Sequence, residues 1–181
     1  MNAAHFHLVV THLPIVGVAM AAVLLVLALF HRAERGALRA AVLVLALSAA
    51  GAAAAYLSGE PAEEIAERLP GTSEQAIEVH EERAGAATAL AGLTALAGVA
   101  ALLLVERRRI APGAPVAITL AGAILTSGAM AWTGASGGEI RHPEARAGSL
   151  VAAPAGGQNA PAGEADAPAG ADREEWEEDD D

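Results

Sequence analysis

The sequence predicts an all-α integral membrane protein: a four-helix up-and-down bundle with a short helical extramembrane loop and a disordered acidic C-terminal tail. Three observations carry this. Four runs of 18 or more mostly apolar residues are present, each long enough as helix to cross roughly 30 Å of hydrocarbon. Arginines gather in alternate connections between those runs. The excess acid sits almost wholly at the C-terminus. The 181 residues are 54% apolar yet carry a net charge of -11, from 22 acidic and 11 basic side chains. Residues 150–181 hold ten of the acids and one base, Arg173, which leaves the first 149 residues near -2. The average therefore mixes two regions, a membrane domain over 1–149 and an acidic tail over 150–181.

The spans are Leu13 to Phe30, Leu38 to Leu57, Ala84 to Val105 and Val116 to Ala135. Each is apolar all round, as a helix facing lipid must be. Ala and Gly dominate them, and small residues such as Gly17, Gly51, Gly85 and Gly98 let helices approach closely where lipid supplies no hydrophobic drive. The first span reads as retained rather than as a cleaved leader, because no basic residue precedes it and a basic connection follows it. Arg32, Arg35 and Arg39 lie in the first connection, and Arg107, Arg108 and Arg109 in the third. Basic residues flanking a span resist translocation, so both connections are expected on the cytoplasmic side and both termini outside. Tyr56 and Trp132 fall at span ends assigned to the outer interface, where amphipathic rings favour the headgroups.

The second connection, from Ser58 to Arg83, carries eight Glu and reads as folded. Pro61 suits the first turn of a short helix, with Glu60, Glu63 and Glu64 near its positive end and Glu64 four residues before Arg68. Pro70-Gly71 breaks the chain, and Thr72 with Gln75 makes a capping-box pattern that opens a second helix. Nothing stops that helix from Ser73 to Val105, about 50 Å, so the third span begins outside the bilayer. Beyond Leu150 the Ala/Pro/Gly/acid mixture cannot bury a core and is expected to be disordered.

Several functions are excluded. A chain this acidic and without Lys lacks the basic footprint that nucleic acid requires. Zero Cys removes disulfides, thiolate-ligated zinc, iron–sulfur clusters and covalently attached haem. No nucleophile–base pair, phosphate loop or spaced carboxylate dyad argues for a hydrolase or transferase. Four spans without a mid-membrane charge or paired broken helices make poor material for a transport pathway.

The histidines carry the chemistry that remains. Five of six, His5, His7, His12, His80 and His142, fall on the side assigned to the exterior, and only His31 lies opposite. On the third helix Ile77, His80, Ala84, Ala87 and Ala91 share one stripe, so His80 is expected to face the bundle. Pro14 leaves a backbone carbonyl near His12 without a helical donor. Imidazoles converging from different helices can ligate a transition metal or the iron of a b-type haem. The haem reading takes two of His12, His80 and His142 as axial ligands, with Arg83, Arg141 and Arg146 placed for the propionates and Gly17 and Gly85 making room for the macrocycle. The scarcity of aromatics, Phe6, Phe30, Tyr56 and Trp132 in this domain, counts against it. A second reading uses His7, His12, His80 and His142 with carboxylates such as Glu60, Glu64, Glu81 or Glu139 around a divalent transition metal. A third is non-catalytic: a membrane subunit or assembly factor whose acidic tail, with Trp176, contacts a redox or membrane-protein partner. Against all three stands the plain alternative that each His is an ordinary interface residue.

The string from His7 to Ile15 (His-Leu-Val-Val-Thr-His-Leu-Pro-Ile), the His80-x4-Gly85 start of the third span and the Gly137-Gly138-x3-His142 exit resemble the bacterial membrane family called domain of unknown function 2231, over roughly residues 5–148. Leu8 and Leu13 depart from the family's usual Pro and Phe at those places. The resemblance implies four spans in a bacterial inner membrane and, because such domains often stand beside redox modules, a haem or metal.

Overall fold

The computed structural model describes residues 2–31, 35–107 and 110–142, and the acidic segment 150–181 lies outside them. Five helices follow in order: α1 (Ala3–Phe30), α2 (Gly36–Leu57), α3 (Gly59–Ala66), α4 (Glu74–Arg107) and α5 (Gly113–Arg141), with no strand among the described residues. Four of them, α1, α2, α4 and α5, are long and apolar enough to cross a membrane. Their faces fit that role. Leu8, Val16, Val23, Leu43, Leu96 and Leu125 are all more than half exposed, a surface that water would penalise and lipid does not.

Helix α1 starts ten residues before the apolar run at Leu13. Asn2 caps it, its side chain accepting a 2.9 Å bond from the His5 N–H, and Pro14 lies buried within it. Helix α4 also extends well beyond its apolar run, as the uninterrupted stretch after Ser73 predicts. Its opening differs in detail. The Ser73 hydroxyl takes the Ala76 N–H at 3.4 Å, while Thr72 turns back to donate to the Ala66 carbonyl at 2.8 Å and so closes the end of α3. The Glu64–Arg68 pair does not form, because α3 ends at Ala66 and Arg68 is already off the helical register.

Around the bundle the order is α1, α2, α4, α5, with α5 closing back on α1. Helices α1 and α4 run in one direction and stand on one diagonal; α2 and α5 occupy the other. Short α3 lies across the end of the bundle, against α1 and touching α2. The main core joins Val18, Leu25, Leu38, Leu45, Val105 and Val116, and a smaller one of Ala52, Ala87, Ala91 and Met130 lies nearer α3. Buried positions on α1 recur at alternate steps of three and four: Pro14, Val18, Ala21, Leu25, Ala28. That seam is the coiled-coil spacing that sets near-parallel bundle packing. Hydroxyls inside the bundle bond mostly within their own helix, while buried Thr94 of α4 bonds across to the Thr126 hydroxyl of α5 at 2.9 Å. Ser48 donates to the Val44 carbonyl at 2.7 Å and Thr126 to the Gly122 carbonyl at 2.8 Å, and among the described residues no buried side-chain donor is stranded.

Candidate functional site

At the α3 end of the bundle two imidazoles face each other across the diagonal. His7 of α1 and His80 of α4 have ring centres 6.5 Å apart and planes inclined at 82°. The sequence explains their placement. His7 stands seven residues before Pro14 and His80 seven before Ala87, each in register with its helix's buried seam.

Each ring is tied down in the same manner. His7 Nδ1 lies 3.0 Å from the Ala55 carbonyl and 3.1 Å from the Ser58 hydroxyl at the end of α2. His80 Nδ1 lies 3.0 Å from the Thr133 carbonyl and 3.3 Å from the Ser136 hydroxyl near the end of α5. A carbonyl oxygen can only accept, so Nδ1 must carry the proton in both rings. Nε2 is then left with its lone pair, the form in which imidazole binds metals. Among the described residues neither Nε2 has a hydrogen-bond partner. A ring held through Nδ1–H by a main-chain carbonyl, with Nε2 open, is the usual support of a ligating histidine.

Glycines make the space. A Cβ on Gly137 would stand 3.0 Å from His80 Cε1, and one on Gly59 would stand 3.9 Å from His7 Cε1. Around the pair, Arg83 stacks its guanidinium 4.3 Å over the Trp132 ring. Arg141 reaches the Pro70 carbonyl at 3.4 Å and the Thr72 hydroxyl at 3.3 Å, holding the turn after α3 against α5. Glu63 on α3 has its carboxyl pushed above the usual range, chiefly by burial and then by a hydrogen bond with, and repulsion from, the Glu81 carboxyl.

His12, His142 and Glu64 do not join this pair. His12 is exposed on α1, its Nδ1 2.7 Å from the Leu8 carbonyl of its own helix, and it lines an open apolar groove with Phe6, Leu13, Val16 and Ser48. His142 caps α5 at the edge of the described chain and is exposed. Glu64 is exposed on α3. Among the described residues no three His, Asp or Glu side chains converge as a metal would need. His80 is thus brought to His7 rather than to His12 or His142. The seam from His7 to Pro14 and Val18 was the signal for His7, identical in spacing to the one that marks His80.

Compared with protein-family models, with characterised proteins and with solved structures, the chain matches none.

Proposed function

We propose that this is a multi-pass inner-membrane protein that holds a b-type haem between His7 and His80, at the outer end of its bundle, and serves electron transfer with a redox partner. The observation that carries the reading is the pair of imidazoles 6.5 Å apart, each with Nδ1–H held by a carbonyl. Two metal–nitrogen bonds of ~2 Å, with the ~1 Å from nitrogen to ring centre on either side, span roughly 6 Å, so the separation suits one metal shared by both rings. A haem iron asks the protein for two ligands, whereas a structural or catalytic divalent ion asks for three or four. With no third ligand converging among the described residues, the donor set favours haem over the bare ion. Arg83 and Arg141, on the same end of α4 and α5, would be the cations to pair with propionates among the described residues. The outer assignment of that end rests on the arginines of the opposite connections.

The test is an absorption spectrum of detergent-purified protein, oxidised and dithionite-reduced, after supplementation with hemin. A Soret band with a sharp α-band on reduction is expected. His7→Ala and His80→Ala should each abolish the six-coordinate spectrum, and His12→Ala should leave it unchanged. Absence of any Soret band in the supplemented wild-type protein would end this reading.

A further inference from the structure

The two halves of the bundle repeat each other. A shift of 73 positions carries the buried residues of α1, Pro14, Val18, Ala21, Leu25 and Ala28, onto Ala87, Ala91, Thr94, Gly98 and Ala101, every one of them buried on α4. A shift of 78 carries Leu38, Ala41, Leu45, Ser48 and Ala52 of α2 onto Val116, Thr119, Ala123, Thr126 and Met130, all buried on α5. A buried seam alone would align at some offset on any pair of helices, since it recurs each turn. What singles out these two offsets is that they also equate polar groups with the same bonds.

The shift of 73 takes His7 to His80. The shift of 78 takes Ala55, Ser58 and Gly59 to Thr133, Ser136 and Gly137. Both rings therefore bond through Nδ1 to the equivalent carbonyl and the equivalent hydroxyl, and both pass beside the equivalent glycine. In each half the serine donates back to that same carbonyl, Ser58 to Ala55 at 3.0 Å and Ser136 to Thr133 at 2.8 Å. Mid-bundle, Ser48 to Val44 repeats as Thr126 to Gly122. Topology agrees: exchanging α1 with α4 and α2 with α5 maps the neighbours around the bundle onto themselves.

We propose that the chain is a duplicated hairpin in which a two-fold axis parallel to the helices makes His7 and His80 equivalent ligands of a single group held between them. The group is one per chain and is bound by both halves alike. The repeat stands on the bonds and seams above; only the identity of the shared group rests on the haem reading. Side-chain size departs from the symmetry where the halves meet. Leu25 and Leu45 are opposed to Gly98 and Ala123, so the bulk at that level comes from one hairpin and the space from the other. The ligand end keeps the symmetry that the core gives up.

The test combines two readouts on the full chain. NMR of protein carrying 15N-labelled histidine, at about pH 8 where imidazole is neutral, should show His7 and His80 both protonated at Nδ1. Ser58→Ala should move the His7 signals alone and Ser136→Ala those of His80 alone, by similar amounts. Hemin titration should give one site per chain, with affinity lowered at least tenfold and to a similar degree by His7→Ala and by His80→Ala. Opposite tautomers in the two rings would overturn the equivalence. So would hemin binding lost with one substitution and untouched by the other, an outcome that leaves a haem site standing on one ligand. If the wild-type chain takes no hemin, the haem reading falls while matching tautomers still support the duplication.

Discussion

At the scale of single residues, the site depends on how firmly each imidazole is held from behind. Gly137 is the tightest point, because a methyl there meets His80 Cε1 at 3.0 Å and the ring must move away from the Thr133 carbonyl. Gly137→Ala is expected to lose about 1 kcal/mol from that hydrogen bond and to lower hemin affinity about tenfold, as supporting contacts of ligating histidines do. Gly59→Ala, with 3.9 Å of room at His7, should leave both unchanged or gain slightly in helix stability. Thermal unfolding in detergent followed by circular dichroism, alongside hemin titration, checks both. His80 was legible in the sequence because its stripe continues into Ala84, Ala87 and Ala91. His7 is harder to read, since an all-apolar α1 hides its seam and only the placement of buried Pro14 marks it. The two carbonyl partners, on other helices, carry no sequence signal at all.

Between elements, close approach is set by glycine against hydroxyl. A Cβ on Gly17 would overlap the Ser48 hydroxyl, which its bond to the Val44 carbonyl holds in place. Gly17→Ala should therefore destabilise the α1–α2 packing by about 1–3 kcal/mol. Adding Ser48→Ala should restore much of it, since the new methyl would then face the Cβ of residue 48 at 3.4 Å and Val44 Cγ1 at 3.9 Å, both ordinary contacts. Failure of that rescue in thermal melts would show that the crossing is governed elsewhere. The α3 end of the bundle is sensitive to pH through Glu63, which burial and the neighbouring Glu81 carboxyl of α4 hold above the usual range. A carboxyl whose folded pKa is raised binds more protons folded than unfolded, so stability is full at low pH and declines as pH rises from about 4.5 through the raised value. Glu63→Gln should flatten that decline in melting temperature. The four spans and the long α4 follow directly from apolar length and the lack of a stop signal. The start of α1 at Ala3 and the end of α5 at Arg141 do not, because hydropathy marks where lipid begins and not where the helix ends.

Across the whole molecule, the ring order of helices fixes which surfaces meet. Arg39 of α2 and Glu106 of α4 form an ion pair at 2.6 Å, at the end opposite the imidazoles. Arg39 is largely exposed, and a double-mutant cycle over Arg39→Ala and Glu106→Ala is expected to return a coupling below about 1 kcal/mol that shrinks with salt. Charge sorting between the two ends of the bundle was readable from the placement of its arginines and glutamates. The diagonal pairing of α1 with α4 was not, because apolar helices of similar length offer no distinction between neighbour and opposite.

The bonds that orient the imidazoles have one more property. Among the described residues His7 hydrogen-bonds only to the end of α2, and His80 only to α5. Each hairpin thus supplies the polar partners of its own imidazole, and during synthesis the first can settle in the bilayer while the second is still on the ribosome. A nascent chain arrested after α3 should already protect its first two helices from protease in membranes, with the imidazole of His7 waiting in position for a partner that has not yet been translated.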